Sequence, residues 1–115
     1  MQTAPIKPLK PYFHVIEDLG EHLDWVEFFG NDNPVEIDIG CGRGLFVFNA
    51  ATQNPNINYL GLEIDYREGR RAAMRLLKRE MPNARIIGGD CKVLLSKMID
   101  KHSVQAAHVC FPDPW

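Results

Sequence analysis

Four carboxylates, Asp38, Glu63, Asp90 and Asp113, each close or directly follow a run of residues that reads as a β-strand. Behind the first of them comes a glycine-rich segment, Gly40-Cys41-Gly42-Arg43-Gly44. Glycines let the backbone turn sharply there, and a ligand can approach where a Cβ would otherwise stand. If the strands are parallel, all four acids open on one edge of a sheet and line a single crevice. Such a crevice repels a pyrophosphate. It suits a ligand with a fixed positive charge, an ammonium group and a ribose diol, since each favours a nearby carboxylate.

The spacing narrows the ligand further. A dinucleotide fingerprint, G-x-G-x-x-G, wants its third glycine where this chain has Leu45, which disfavours a nicotinamide cofactor. The glycine loop alone is a weak signal, its plain alternative being a tight strand-to-helix turn. Glu63 lies nineteen residues after Gly44, near the spacing of roughly 20 at which an acid behind the second strand accepts hydrogen bonds from ribose hydroxyls. S-adenosylmethionine meets all three demands. Asp65 and Asp90 are also well placed to cap helices, and for Asp90 a cap and a ligand contact can coexist.

The chain ends Phe111-Pro112-Asp113-Pro114-Trp115. Two prolines fix the backbone around Asp113, whose carboxylate can accept hydrogen bonds from a guanine edge. Trp115 offers a flat face on which a base can stack. The alternative is a rigid turn with a buried tryptophan.

These residues need elements to position them. Met1 to Pro11 carries three prolines and two lysines and reads, with the residues up to 16, as an extended arm. Leu19, Leu23 and Val26 recur at helical spacing within 17–29, and the Gly30–Pro34 segment ends that helix. Strands are expected over 35–39, 57–64, 84–87 and 104–111, with helices over 45–53, 65–81 and 92–101 between them. Alternation of this kind implies a parallel sheet with right-handed crossovers. The expected fold is α/β, the front half of a doubly wound sheet of about four strands, with its site beyond the carboxyl ends of the strands. Residues 17–115 then form one incomplete domain.

Composition sets bounds on function. The 115 residues are 45% hydrophobic with a net charge of −2, enough for a packed core but not a generally basic nucleic-acid binder. Charge is segregated, at −6 over residues 1–38 and +4 over residues 66–80. On a helical wheel Arg67, Arg70, Arg71, Arg75, Lys78 and Arg79 share one half, opposite Ala72, Ala73, Leu76 and Leu77. That face reads first as the solvated side of an amphipathic helix, with phosphate contact as the alternative. No apolar run is long enough to span a membrane, and the N-terminus has no secretory pattern. Cys41, Cys91 and Cys110 lie far apart, without metal-ligand spacing, which suggests free thiols in a reducing cytoplasm. His14, His22, His102 and His108 show no ligand spacing either, and no metal is expected.

Phe111-Pro112-Asp113-Pro114-Trp115 resembles the signature of the tRNA (guanine-N7)-methyltransferase family. Phe29-Gly30-Asn31, Asp38-Ile39-Gly40-Cys41-Gly42-Arg43-Gly44, Tyr59-Leu60-Gly61-Leu62-Glu63-Ile64 and Asp90-Cys91 are similar to other motifs of that family. The likeness covers about residues 25–115. It implies a Rossmann-like class I methyltransferase that forms N7-methylguanosine in the variable loop of tRNA. By the resemblance Asp38, Glu63 and Asp90 would contact S-adenosylmethionine and Asp113 would be the active-site acid. Gly40, Gly42, Gly44 and Cys91 are expected to border the same cofactor, and Trp115 to contact the substrate through its flat face. Asp38 stands where the family usually has glutamate, and Cys91 where it commonly has alanine. In the family the Phe-Pro-Asp-Pro-Trp motif runs on into a basic stretch and three more strands, so the chain resembles a C-terminally truncated member. Two other readings remain: a non-catalytic fragment or binding module, and a class I methyltransferase with another substrate. Against the latter, amino-group methylation typically shows Asp/Asn-Pro-Pro-aromatic after the fourth strand, whereas the order here is Pro-Asp-Pro-Trp.

Overall fold

The computed structural model describes residues 9–109. Five strands, β1 (Phe13–Val15), β2 (Val35–Ile39), β3 (Asn58–Glu63), β4 (Ala84–Gly88) and β5 (Ala106–Val109), form one sheet in the order β1-β4-β3-β2-β5. Every pairing is parallel. The chain moves outward from β2 through β3 to β4, then returns to lay β5 on the other side of β2. At that reversal the connections on either side of β2 diverge, which opens a crevice above its carboxyl end.

Helices cover both faces. Helix α2 (Leu45–Gln53) and helix α3 (Tyr66–Lys78) lie on one side, with Val47, Ala51, Ala72, Ala73 and Leu76 buried against Tyr59 and Ile86. On the other side Phe29, Leu94 and Met98 close over Ile37, Leu60, Leu62 and Ile87. Phe29 ends α1 (Trp25–Phe29), while Leu94 and Met98 bound a π-helical turn that continues α4 (Cys91–Val93). β3 and β4 are buried on both faces, as central parallel strands must be.

Three expectations need correction. The sheet has a fifth strand, β1, drawn from residues expected in the N-terminal arm. Phe13, His14 and Val15 pair with Ile86, Ile87 and Gly88, and the Tyr12 carbonyl accepts the Ile86 N–H at 2.7 Å. Three residues are too few to show a periodicity, so the pairing partner makes this strand. The long helix expected over 17–29 is broken into a 3₁₀ turn, Ile16–Asp18, and the five-residue α1. Gly20 turns into the left-handed region (φ +78°), and Asp24 caps a fresh start by accepting the N–H groups of Val26 and Glu27 at 2.9 and 3.2 Å. Val26, counted as part of an apolar stripe, is exposed. The last expected helix ends at Met98 rather than at residue 101.

The amino end of the sheet is pinned by amides. Asn83 is buried, and its Nδ2 donates to the carbonyls of Ala51, Asn54 and Ile57 at 2.9–3.1 Å, tying the end of α2 to the start of β3. Asn58, fully buried, donates to Asn31 Oδ1 at 2.7 Å. These bonds fix the bottom of the sheet and leave the opposite edge for a ligand.

Candidate functional site

Asp38 is the penultimate residue of β2, Glu63 the last of β3, and Asp90 follows β4 by two positions. Because all three strands run the same way, these acids reach the same edge. The fourth, Asp113, lies outside the described residues, as does Trp115.

Asp38 is only 2% exposed, and its Oδ1 has no hydrogen-bond partner. In register it faces Gly61 on β3 and His108 on β5. Burial pushes its carboxyl up to about 6, opposed by the nearby His108 and reinforced by Glu63. A buried, unpartnered carboxylate oxygen is costly, and such groups concentrate at sites that await a ligand.

The glycine turn follows this acid directly. Gly40, Gly42 and Gly44 all take positive φ, at 74°, 57° and 78°. The roles of two of them separate on inspection. A Cβ on Gly44 would stand 2.7 Å from Ala72 Cβ, so its bareness lets α2 begin hard against α3. A Cβ on Gly42 would meet nothing within 4 Å, so its bareness leaves open space on the ligand side. Beneath the turn, a Cβ on Gly61 would stand 2.8 Å from Cys41 Sγ and from Ile86 Cδ1, which is why glycine occupies the middle of β3. Cys41 is a buried free thiol, pushed far up by burial and by Asp38 and Glu63, and hence inert as a nucleophile.

Glu63 organises the rim. Its Oε1 accepts the Gly42 N–H at 2.8 Å, and its Oε2 accepts the Asp65 N–H at 2.9 Å. Each oxygen keeps a second lone pair, enough to accept the two hydroxyls of a diol. Asp65 is the helix cap of α3, accepting the N–H groups of Arg67 and Glu68. Asp90 is exposed and caps α4, accepting the Lys92 N–H at 2.9 Å. Cys91 beside it is half-buried, with a free thiol. A cavity of about 640 Å³ opens next to Asp90, floored by Ile16, Val93 and Met98 and rimmed by Glu17, Glu21 and Lys97. Neither Asp38 nor Glu63 lines it. Ile64, the residue after Glu63, is 72% exposed and adds an apolar surface to the same rim.

One neighbour of this rim escaped sequence reasoning. His108 Nε2 lies 2.9 Å from Glu36 Oε1, and Gln105 Nε2 donates to Glu36 Oε2 at 2.7 Å. The Glu36–His108 pair joins positions 72 apart and becomes visible only once β2 and β5 are paired. Among the described residues no group of three or more His, Cys, Asp or Glu could hold a metal ion, and no helix is long and apolar enough to cross a membrane.

The rim is therefore acidic, lined by backbone turned outward by glycines, and centred on a buried carboxylate with a spare oxygen. Its acceptor oxygens fit a ligand bearing an ammonium group and vicinal hydroxyls. Comparison with known proteins agrees with the architecture. The chain is similar to a tRNA (guanine-N(7)-)-methyltransferase of Rhodopirellula baltica, 39% identical over 96% of this chain and 43% of the relative. It is also similar to one of Geobacter metallireducens, 33% identical over 91% of this chain and 50% of the relative. The chain thus spans about half the length of the curated relatives it matches. Among solved structures, the geranyl diphosphate C-methyltransferase of Streptomyces coelicolor superposes with a TM-score of 0.58 over 82% of this chain and 32% of its own, at 18% identity. That likeness shows the fold, a Rossmann-like α/β sheet. The family model described as putative methyltransferase matches residues 32–115, and with that match the chain belongs to this methyltransferase family.

Proposed function

We propose that this chain is the cofactor-binding part of an S-adenosylmethionine-dependent methyltransferase that forms N7-methylguanosine in tRNA. The observation that carries the reading is Asp38: a buried carboxylate with an unpartnered oxygen, directly before a glycine turn whose Gly42 N–H is held by Glu63. The names of the relatives support the tRNA substrate and the guanine N7 position.

In this reading Asp38 receives the α-ammonium group of the cofactor and Glu63 its ribose hydroxyls. Asp90 and Cys91 border the base, and Gly40, Gly42 and Gly44 give the close backbone approach. Bound S-adenosylmethionine supplies a methyl group made electrophilic by a positively charged sulfur. N7 of guanine carries a lone pair and no proton at neutral pH, so no residue has to act as a base to create the nucleophile. The protein's work is alignment at near-attack distance. Asp113 orients the guanine and supports the positive charge that develops on the purine, and Trp115 stacks on it. The Asp113 role rests on the sequence resemblance, and the Trp115 role on its aromatic face.

A second reading, a binding module without activity of its own, draws on one observation. β5 pairs only with β2 among the described residues, and Val109 on it and Leu45 beside the crevice are 49% and 57% exposed. One assay separates the two. The chain, and a version extended to the length of its relatives, are incubated with labelled cofactor and unmodified tRNA, and the methylated nucleoside is identified. Label in N7-methylguanosine supports the proposal; label in another nucleoside, or none from either protein, refutes it. Label from the extended protein alone assigns the module role to this segment.

A further inference from the structure

We propose that the groove on the outer face of α3 is a docking surface for the phosphate backbone of the RNA substrate, an inference that rests on the tRNA reading above. Arg71, Met74, Arg75, Lys78 and Arg79 line this groove, of about 380 Å³. No carboxylate lines it. Among the described residues Arg75, Lys78 and Arg79 form no ion pair, while Glu68 bridges Arg71 at 3.6 Å and Arg43 at 3.4 Å.

Opposite charges four residues apart stabilise a solvated helix, and like charges at that interval destabilise it. Here Arg71, Arg75 and Arg79 repeat the same charge at that interval, so they repel one another in the free protein and a bound polyanion relieves the repulsion. Their spacing along the helix is about 6 Å per step. Two of the three are held in place before any ligand arrives: the guanidinium groups of Arg75 and Arg79 lie over the Phe48 ring, at 6.0 and 5.7 Å from its centre. Stacked arginines lose less freedom on binding and present a planar fork that matches phosphate oxygens.

The rest of the molecule offers a polyanion little else. Residues 66–80 carry +4 in a chain of −2, leaving −6 elsewhere. The basic stripe also leads somewhere useful. Through the Glu68 bridge it continues from Arg71 to Arg43, which lies in the glycine turn that follows Asp38. An RNA strand laid along α3 is thereby guided to the carboxylate rim. An acidic protein would meet the same charges but has no comparable run of closely spaced anions.

The test is the salt dependence of tRNA binding by the full chain, measured by fluorescence anisotropy between about 50 and 200 mM salt. The variant Arg71→Gln/Lys78→Gln removes two exposed charges without disturbing the arginines on Phe48. The control Lys10→Gln/Lys101→Gln removes two exposed charges elsewhere. The groove variant should flatten the slope of log affinity against log salt by about 1.5, at roughly 0.7–0.9 per lost phosphate contact. The control should leave it unchanged, and both should bind S-adenosylhomocysteine as the parent does. An unaltered slope in the groove variant, or an equal fall in the control, overturns the inference. So does displacement of tRNA by polyglutamate at matched charge. If the parent chain binds and methylates tRNA while the slopes stay equal, the groove alone is wrong. If it and its extended form neither bind nor methylate tRNA, the tRNA reading fails and takes the groove with it.

Discussion

Replacing Asp38 with asparagine should make the free protein more stable and the cofactor complex weaker. The carboxyl is 2% exposed and raised from 3.8 to about 6, mainly by burial. For an acid raised on folding, the native state holds its proton over a window where the unfolded state has lost it. The Asp38 contribution to stability therefore falls as pH rises from about 4 to about 6, then stays flat. Above that window the ionised side chain costs roughly 3 kcal/mol of folding free energy, from a shift of about two units at 1.36 kcal/mol each. Asparagine removes the charge but still buries an amide, so a net gain of about 1–2 kcal/mol is expected at pH 7.5. In a domain of this size that corresponds to roughly 5–10 °C in Tm.

Binding should move the other way. A charge-assisted hydrogen bond to the cofactor ammonium contributes about 1.5–3 kcal/mol, so the variant should bind S-adenosylmethionine roughly 10- to 150-fold more weakly. Thermal melts at pH 7.5 and pH 4.5, with calorimetric titration at pH 7.5, measure both effects. At pH 4.5 most of the stability gain should vanish, because Asp38 is then protonated in the parent. Loss of stability together with loss of binding would make Asp38 a structural residue. Unchanged binding would remove it from the site, and with it the observation on which the function is argued.

Other outcomes follow from the same geometry. Because the ammonium favours ionised Asp38, S-adenosylmethionine affinity should rise up to about tenfold per pH unit below pH 6 and level off above it, with proton release at pH 5.5 seen as buffer-dependent heat. An affinity constant from pH 5 to pH 7 would contradict the assignment. Gly44→Ala forces a Cβ to 2.7 Å from Ala72 and strains a left-handed backbone, so it should lower urea stability by about 2–4 kcal/mol. Gly42→Ala meets open space and should cost only about 1 kcal/mol of backbone strain. Its larger effect should be on cofactor affinity; equal stability losses in the two variants would refute the division of roles.

Much of this architecture is legible in the chain itself, and the exceptions have physical causes. The strands and helices from Val35 to Gly88 follow from short apolar runs, alternating and β-branched only over Val35–Ile39, from amphipathic spacing and from proline or asparagine stops, and their bounds shift by only a few residues. Local patterns specify them, so local reading recovers them. β1 is different: Phe13–Val15 is extended because β4 offers it an edge, a partner more than 70 residues away. The broken helix over 17–29 fails for the opposite reason, since Gly20 and the Asp24 cap outweigh a coincidental apolar period. At the site, the strand-end positions of Asp38, Glu63 and Asp90 were readable because parallel topology sends every strand end to one edge. The Glu36–His108 pair and the packing of Cys41 over Gly61 were not, since they depend on which strands become neighbours. A sharp turn and room for a ligand were both expected of the glycines, but not how they are shared out: Gly44 packs α2 against α3, while Gly42 leaves open space.

A crystal structure with S-adenosylhomocysteine, which keeps the ammonium and the ribose, tests the carboxylate rim most directly. The amino group should lie within hydrogen-bonding distance of Asp38 Oδ1, and the ribose hydroxyls should meet Glu63. A ligand seated wholly in the cavity beside Asp90, with Asp38 still unpartnered, would contradict the account.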